Sequence, residues 1–171
     1  MKLDVPYYSQ FLDVSDKKWM PRACGMACVK MILDFYNAES PELDVLIVEG
    51  YKNGGYGKWG WLHDYFVQIF KRFDLGSKRS EGMNNFEELV NELKNGNPII
   101  ISAVKHILGQ TKFHMVVLTG VEEDDSGNIV GFYYHDPEST DKETGRNIFV
   151  DIETFNNGWR KMAIFAYPKN K

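Results

Sequence analysis

Near Pro98 the sequence changes its repeat. Before it, apolar residues recur at helical spacing. Cys24, Cys28, Met31, Ile32 and Phe35 of "CGMACVKMILDFY", and Leu62, Tyr65, Phe66, Ile69 and Phe70 of "WLHDYFVQIFKRF", each make one stripe of a helix. A third helix is expected over "NFEELVNELKNG", capped by Asn84 with Glu87 three residues on and stopped at Gly96. After Pro98 come the β-branched and aromatic runs "PIIISAV", "FHMVVLTGV", "NIVGFYYHD", "NIFVDI" and "KMAIFAY", separated by turn residues. Helices followed by an antiparallel sheet is the α+β pattern. No repeat, low-complexity tract or Pro/Ser-rich linker divides the 171 residues, so residues 1–171 are read as one domain.

The charge balance excludes some partners. With 20 basic against 24 acidic side chains the net charge is −4, and no basic stripe is present. A nucleic acid or an anionic membrane surface is therefore not expected as partner. No segment approaches the ~18 apolar residues that a bilayer span needs, and the N-terminus lacks a signal-like apolar core. A cytoplasmic protein is expected. Nothing in the sequence specifies an oligomeric state.

The two cysteines, Cys24 and Cys28, are four residues apart on one helix. That spacing holds their Cβ atoms about 5–6 Å apart, beyond the ~3.5–4.5 Å of a disulfide. Structural zinc would need a second ligand pair at matching spacing, and the four histidines do not supply one, so no metal is expected. Cys24 falls where the helix begins, after Pro21 and before Gly25, and a helix N-terminus stabilises a thiolate. Cys28 lies one turn deeper and reads as a small core residue.

A nucleophilic cysteine needs a base and a group to orient it. Of the histidines, His63 and His106 lie by a helix start and a loop, whereas His114 and His135 lie on successive strands joined by "EEDDSGN". A hairpin centred near residue 125 sets His114 opposite Asp136, on one face, and turns His135 to the other. Asp136 also precedes Pro137, where an aspartate commonly bonds local backbone in a turn.

The segments "VPYYSQ" with Gln10, "ACGMACVKMIL" with Cys24, "FHMVVLTGV" with His114 and "HDPES" with Asp136, in this order, span residues 5 to 137. In them the chain resembles the bacteriocin-processing, double-glycine-leader cysteine peptidases and their stand-alone peptidase-like relatives, a branch of the papain-like fold. The resemblance implies that Cys24 attacks, His114 is the base, Asp136 orients it and Gln10 donates to the oxyanion. It also implies a helical half packed on a C-terminal antiparallel sheet, with the cleft between them. The chain departs from the pattern at Ala23, where several leader peptidases are acidic, at Met26, where many stand-alone relatives carry Pro, and in the long interval from Gln10 to Cys24.

The stretch "GYGKWG" matches a dinucleotide fingerprint, but an aromatic helix follows it and no βαβ unit surrounds it. It reads instead as a loop presenting Tyr56, Trp59 and Trp61, either to the helical half or to a substrate cleft. The expected activity is cofactor-free hydrolysis of a peptide or isopeptide bond in a peptide or protein substrate. Two rivals stand beside it: a catalytically silent peptide- or partner-binding module of the same fold, and an enzyme that transfers the acyl group to an amine.

Overall fold

In the computed structural model, which describes residues 1–104 and 113–169, the chain first makes a 3-10 turn (Met20–Arg22). Helices α1 (Cys24–Phe35) and α2 (Leu43–Lys52) follow, then a ribbon of β1 (Tyr56–Gly57) and β2 (Gly60–Trp61), and α3 (His63–Arg72). Strand β3 (Leu75–Ser80), α4 (Glu87–Lys94), β4 (Ile99–Val104), β5 (Phe113–Glu123), β6 (Ile129–His135), β7 (Ile148–Asp151), α5 (Ile152–Gly158) and β8 (Trp159–Pro168) complete the order. Six strands form one sheet in the order β3-β8-β4-β5-β6-β7, with every neighbouring pair antiparallel.

The runs after Pro98 are continuously apolar because the sheet is covered on both faces. One face carries Ile100, Met115, Val117 and Ile164 against α1, α2 and α3, where Met31, Leu46, Phe66 and Phe70 are buried. The other carries Ile99, Ile101, Val116, Leu118 and Phe132 against Leu89 and Leu93 of α4 and Phe155 of α5. Each such side chain contributes about 1.5–3 kcal/mol on burial. The sheet is thus held between two layers, which fixes β4 and β5 at its centre.

Some local expectations need correcting. Helix α4 begins at Glu87, with Phe86 at the capping position, so Asn84 is not its cap. Asn85 Oδ1 instead accepts the Glu87 N–H at 3.0 Å. The stop at Gly96 holds: its φ of 85° is the left-handed conformation that glycine adopts cheaply. Strand β3, "LGSKRS", carries little alternating apolar pattern and is defined by its pairing with β8. Helix α5 fills the stretch left between "NIFVDI" and "KMAIFAY", taking the last residue of the first, because Asp151 Oδ1 accepts the Thr154 N–H at 2.9 Å and caps a new turn. The glycine-rich loop is a hairpin, Tyr56 opposite Trp61 and Gly57 opposite Gly60, and not a phosphate-binding turn.

Candidate active site

Helix α1 delivers Cys24. It opens at Cys24 itself, no side chain caps it, and its first turn holds no acidic residue, so the positive end of the helix faces the sulfur uncompensated. A Cβ on Gly25 would stand 2.5 Å from Phe66 Cζ, so glycine is what lets the first turn of α1 sit against α3. Cys24 is half-buried, whereas Cys28 is fully buried; both are free thiols.

Strand β5 delivers His114 and the end of β6 delivers Asp136. Their side chains meet with His114 Nε2 at 2.6 Å from Asp136 Oδ1, both buried. The register differs from a simple hairpin centred at residue 125: Val117 pairs with His135, and one extra residue sits in each strand. Asp136 therefore follows on opposite Val116, with His114 its diagonal neighbour. A shift of two residues keeps both side chains on one face, and a diagonal pair is within reach of a long side chain. Asp136 also makes its turn, because the same Oδ1 accepts the Glu138 N–H at 2.9 Å. Its backbone is held by Tyr7, whose hydroxyl donates to the Asp136 carbonyl at 2.7 Å. That brace was not legible as such: Tyr7 lies in "VPYYSQ", but nothing in its spacing links it to residue 136.

With Nε2 committed to Asp136, Nδ1 is the ring nitrogen left to act on Cys24, whose thiol His114 influences. Burial pushes the Cys24 thiol up, but the hydrogen bond and charge of His114, with the N–H groups of Met115 and Gly25, outweigh it. The thiol is held below its ordinary value. Burial pushes the His114 imidazolium down, yet Asp136 and Cys24 raise it to about 9. Both directions favour a thiolate beside an imidazolium over the neutral pair. Burial drives the Cys28 thiol well up, reinforced by the charges of Cys24 and Asp136, so it stays protonated.

The remaining histidines are placed otherwise. His135 is fully buried, with Nε2 at 2.9 Å from the Val5 carbonyl and Nδ1 accepting the Asn147 N–H at 3.0 Å. Because Nδ1 accepts, Nε2 carries the proton and donates, which fixes one neutral tautomer. Burial lowers its pKa, consistent with a structural role. His63 opens α3 and lines the cleft; His106 lies outside the described residues.

Gln10 is fully buried. Its Nε2 donates to the Met20 carbonyl at 2.8 Å and its backbone N–H to the Pro137 carbonyl at 2.7 Å. It thus ties the residue after Asp136 to the turn that leads into Cys24. Among the described residues its side-chain oxygen has no hydrogen-bond partner, and Gln10 is not among those lining the cleft.

The cleft beside Cys24 and His114 has a volume of about 710 Å³. Tyr56, Trp59 and Trp61 line it, in two different ways. Trp61 and Tyr56 are packed edge to face at 5.1 Å, both against Trp19, and Trp61 Nε1 donates to the Arg22 carbonyl at 2.7 Å. Trp59 is 91% exposed. The loop therefore both packs on the helical half and walls the cleft. The cleft also gathers Arg79, Ser102, Phe113 and Arg160, which are scattered over four strands and carry no local motif that sequence reading could join.

A cysteine at a helix start and a histidine on the sheet, paired with an aspartate, face one cleft between the helical layer and an antiparallel sheet. Solved structures share the fold. A double-glycine-motif protease from an AMS/PCAT transporter, in complex with its leader peptide, is 18% identical with a TM-score of 0.63, over 98% of this chain and 94% of that one. A Bacillus anthracis protein described as a C39-like peptidase is 16% identical with a TM-score of 0.70 over the full length of both chains. The peptidase domain of Streptococcus ComA, a bifunctional ABC transporter of a quorum-sensing pathway, is 17% identical with a TM-score of 0.62, over 87% of this chain and 93% of that one. No curated protein matches. The model described as the Peptidase_C39 like family matches residues 2–166, and the chain belongs to that family.

Proposed function

We propose that this protein is a cysteine peptidase that cleaves a peptide or isopeptide bond through a Cys24 acyl-enzyme. The observation that carries the reading is the meeting at one cleft of two elements: the uncapped start of α1 at Cys24, and the 2.6 Å His114–Asp136 pair whose imidazole lines the same cleft. The Cys24 thiolate adds to the carbonyl carbon. The resulting oxyanion is held by the Cys24 backbone N–H; the resemblance assigns the second donor to the Gln10 amide, which here is bound to Met20 and lies outside the cleft lining, so it must turn toward the cleft to serve. His114 gives its proton to the departing amine, the C–N bond breaks, and a thioester remains. Water, deprotonated by His114, then attacks the thioester and frees the acid and the thiol. Asp136 holds the imidazole and stabilises its charged form. No cofactor enters any step. A peptide substrate is favoured because a relative of the same fold was solved with a leader peptide.

Incubation with a thiol-directed activity probe and a diverse peptide library, read by mass spectrometry, tests the reading. Probe labelling at Cys24, with cleavage lost in Cys24→Ala, is the expected result. Labelling without any cleavage would favour a binding module of the same fold, and aminolysis products formed with added amines would favour a transferase.

A further inference from the structure

Charge is distributed unevenly between the cleft and the rest of the chain. The protein carries a net charge of −4, yet Arg22, Lys58, Arg79 and Arg160 line the cleft and, among the described residues, no carboxylate does. Two of these arginines come from strands of the main sheet. Arg160 lies at the start of β8 with its guanidinium 3.5 Å from the Phe113 ring centroid, and its Nη1 donates to Ser102 Oγ at 3.1 Å. Neither partner is charged, and Arg160 has no carboxylate partner among the described residues. Arg79, on β3, is paired with Asp64 at 3.4 Å and Glu81 at 2.8 Å, both well exposed and outside the cleft lining. Arg79 and Arg160 both depress the charging of His63, which is lowered first by burial, so the three basic groups share one region.

Resting on the peptidase reading, we propose that the cleft selects peptide segments carrying an acidic side chain next to the scissile bond, with Arg160 as its main partner and Arg79 as the second. Stacking on Phe113 and the bond to Ser102 hold the Arg160 fork in place before a substrate arrives, which lowers the ordering cost of a charge-assisted hydrogen bond. An arginine already stacked and bonded to neutral groups has its charge free for a substrate carboxylate. Lys58 and Arg22, exposed like the two strand arginines, add an attractive field that brings an anionic segment in. The negative remainder of the chain disfavours a long polyanion, so one or two carboxylates on a short segment match the recess.

The test uses three peptidyl vinyl sulfones, identical except for Glu, Gln or Lys beside the electrophile, and scores saturation kinetics at Cys24. The same three peptides ending in a plain amide and carrying rhodamine give binding by fluorescence anisotropy, independently of thiol chemistry. The Glu peptide is expected to bind about five- to tenfold more tightly than the Gln peptide, with the Lys peptide weakest. Arg160→Gln should bring the Glu and Gln peptides within about twofold of each other, and Arg160→Glu should reverse the order. Raising the salt should shrink the difference. Equal binding of the three peptides by the wild-type protein, or a Glu preference that survives Arg160→Gln together with Arg79→Gln, overturns the proposal. An unreactive Cys24 that still binds the Glu peptide preferentially would sink the peptidase reading and leave this one standing.

Discussion

Asp136 Oδ1 accepts two hydrogen bonds, from His114 Nε2 at 2.6 Å and from the Glu138 backbone N–H at 2.9 Å. One oxygen therefore both closes a turn and orients an imidazole. An asparagine can keep both bonds through its own carbonyl oxygen, but it removes the charge that helps raise His114 to about 9.

Asp136→Asn is accordingly expected to fold normally and to lower turnover. Its apparent pKa for Cys24 alkylation should rise by about one unit, because a weaker imidazolium stabilises the thiolate less. Asp136→Ala, which loses the turn bond as well, should also lower the melting temperature. Wild-type turnover in Asp136→Asn would remove the carboxylate from the site.

Gln10→Ala separates an oxyanion donor from a brace. The amide is expected to stabilise the oxyanion, so turnover should fall by about 10²-fold or more while the alkylation rate of Cys24 stays nearly unchanged. A parallel drop in alkylation would instead make Gln10 a positioning residue acting through its bond to Met20.

The meeting of His114 and Asp136 was legible because both lie on one hairpin whose side-chain period is two. The turn is centred one residue later than expected and the two bulges cancel each other, so partners shift by two residues, and an even shift keeps the face. The helical stripe through Cys24 was legible for the same kind of reason, a clear 3.6-residue repeat over the first helix. Other elements were hidden by physics that a local window does not contain. Helix α2 buries Leu43, Leu46 and Ile47 but exposes Val45, Val48 and Tyr51, so apolar residues on both sides blur its period. Strand β3 exists because β8 pairs with it, and α5 exists because Asp151 caps it. The basic wall of the cleft depends on residues far apart in the chain, and no spacing rule connects Arg79 to Arg160.

His135 offers the contrast to His114. Buried and bonded to the Val5 carbonyl and the Asn147 N–H, it is held neutral, its pKa lowered chiefly by burial from 6.5. A base with a lowered folded value contributes stability that is present above 6.5 and is lost as pH falls below it, because the unfolded chain takes up the proton more readily. His135→Ala should cost about 2–4 kcal/mol in denaturant unfolding and flatten that acid dependence. In the folded fraction, Cys24 should alkylate at the wild-type rate. Loss of alkylation with stability intact would contradict the structural role.

Gly25 and Cys28 test the packing beneath the nucleophile. Gly25→Ala forces Phe66 to move and is expected to destabilise by about 1–3 kcal/mol, while slowing Cys24 by displacing the first turn of α1. Cys28→Ala should retain activity with a modest loss of stability, since Cys28 is fully buried and held protonated. Loss of activity in Cys28→Ala at unchanged stability would show that the second thiol takes part in the chemistry.

The rate of iodoacetamide modification at each cysteine, followed against pH by mass spectrometry in wild-type protein and in His114→Ala, bears most directly on the central claim. In the wild type, Cys24 is expected to react rapidly from mildly acidic pH upward, its profile rising below the ordinary thiol value of 9.0, while Cys28 stays unmodified. In His114→Ala the upward push of burial is left without its main counterweight, so the rise should move toward or above 9.0. A profile that His114→Ala leaves unchanged, or a Cys28 that reacts as fast as Cys24, would contradict the account.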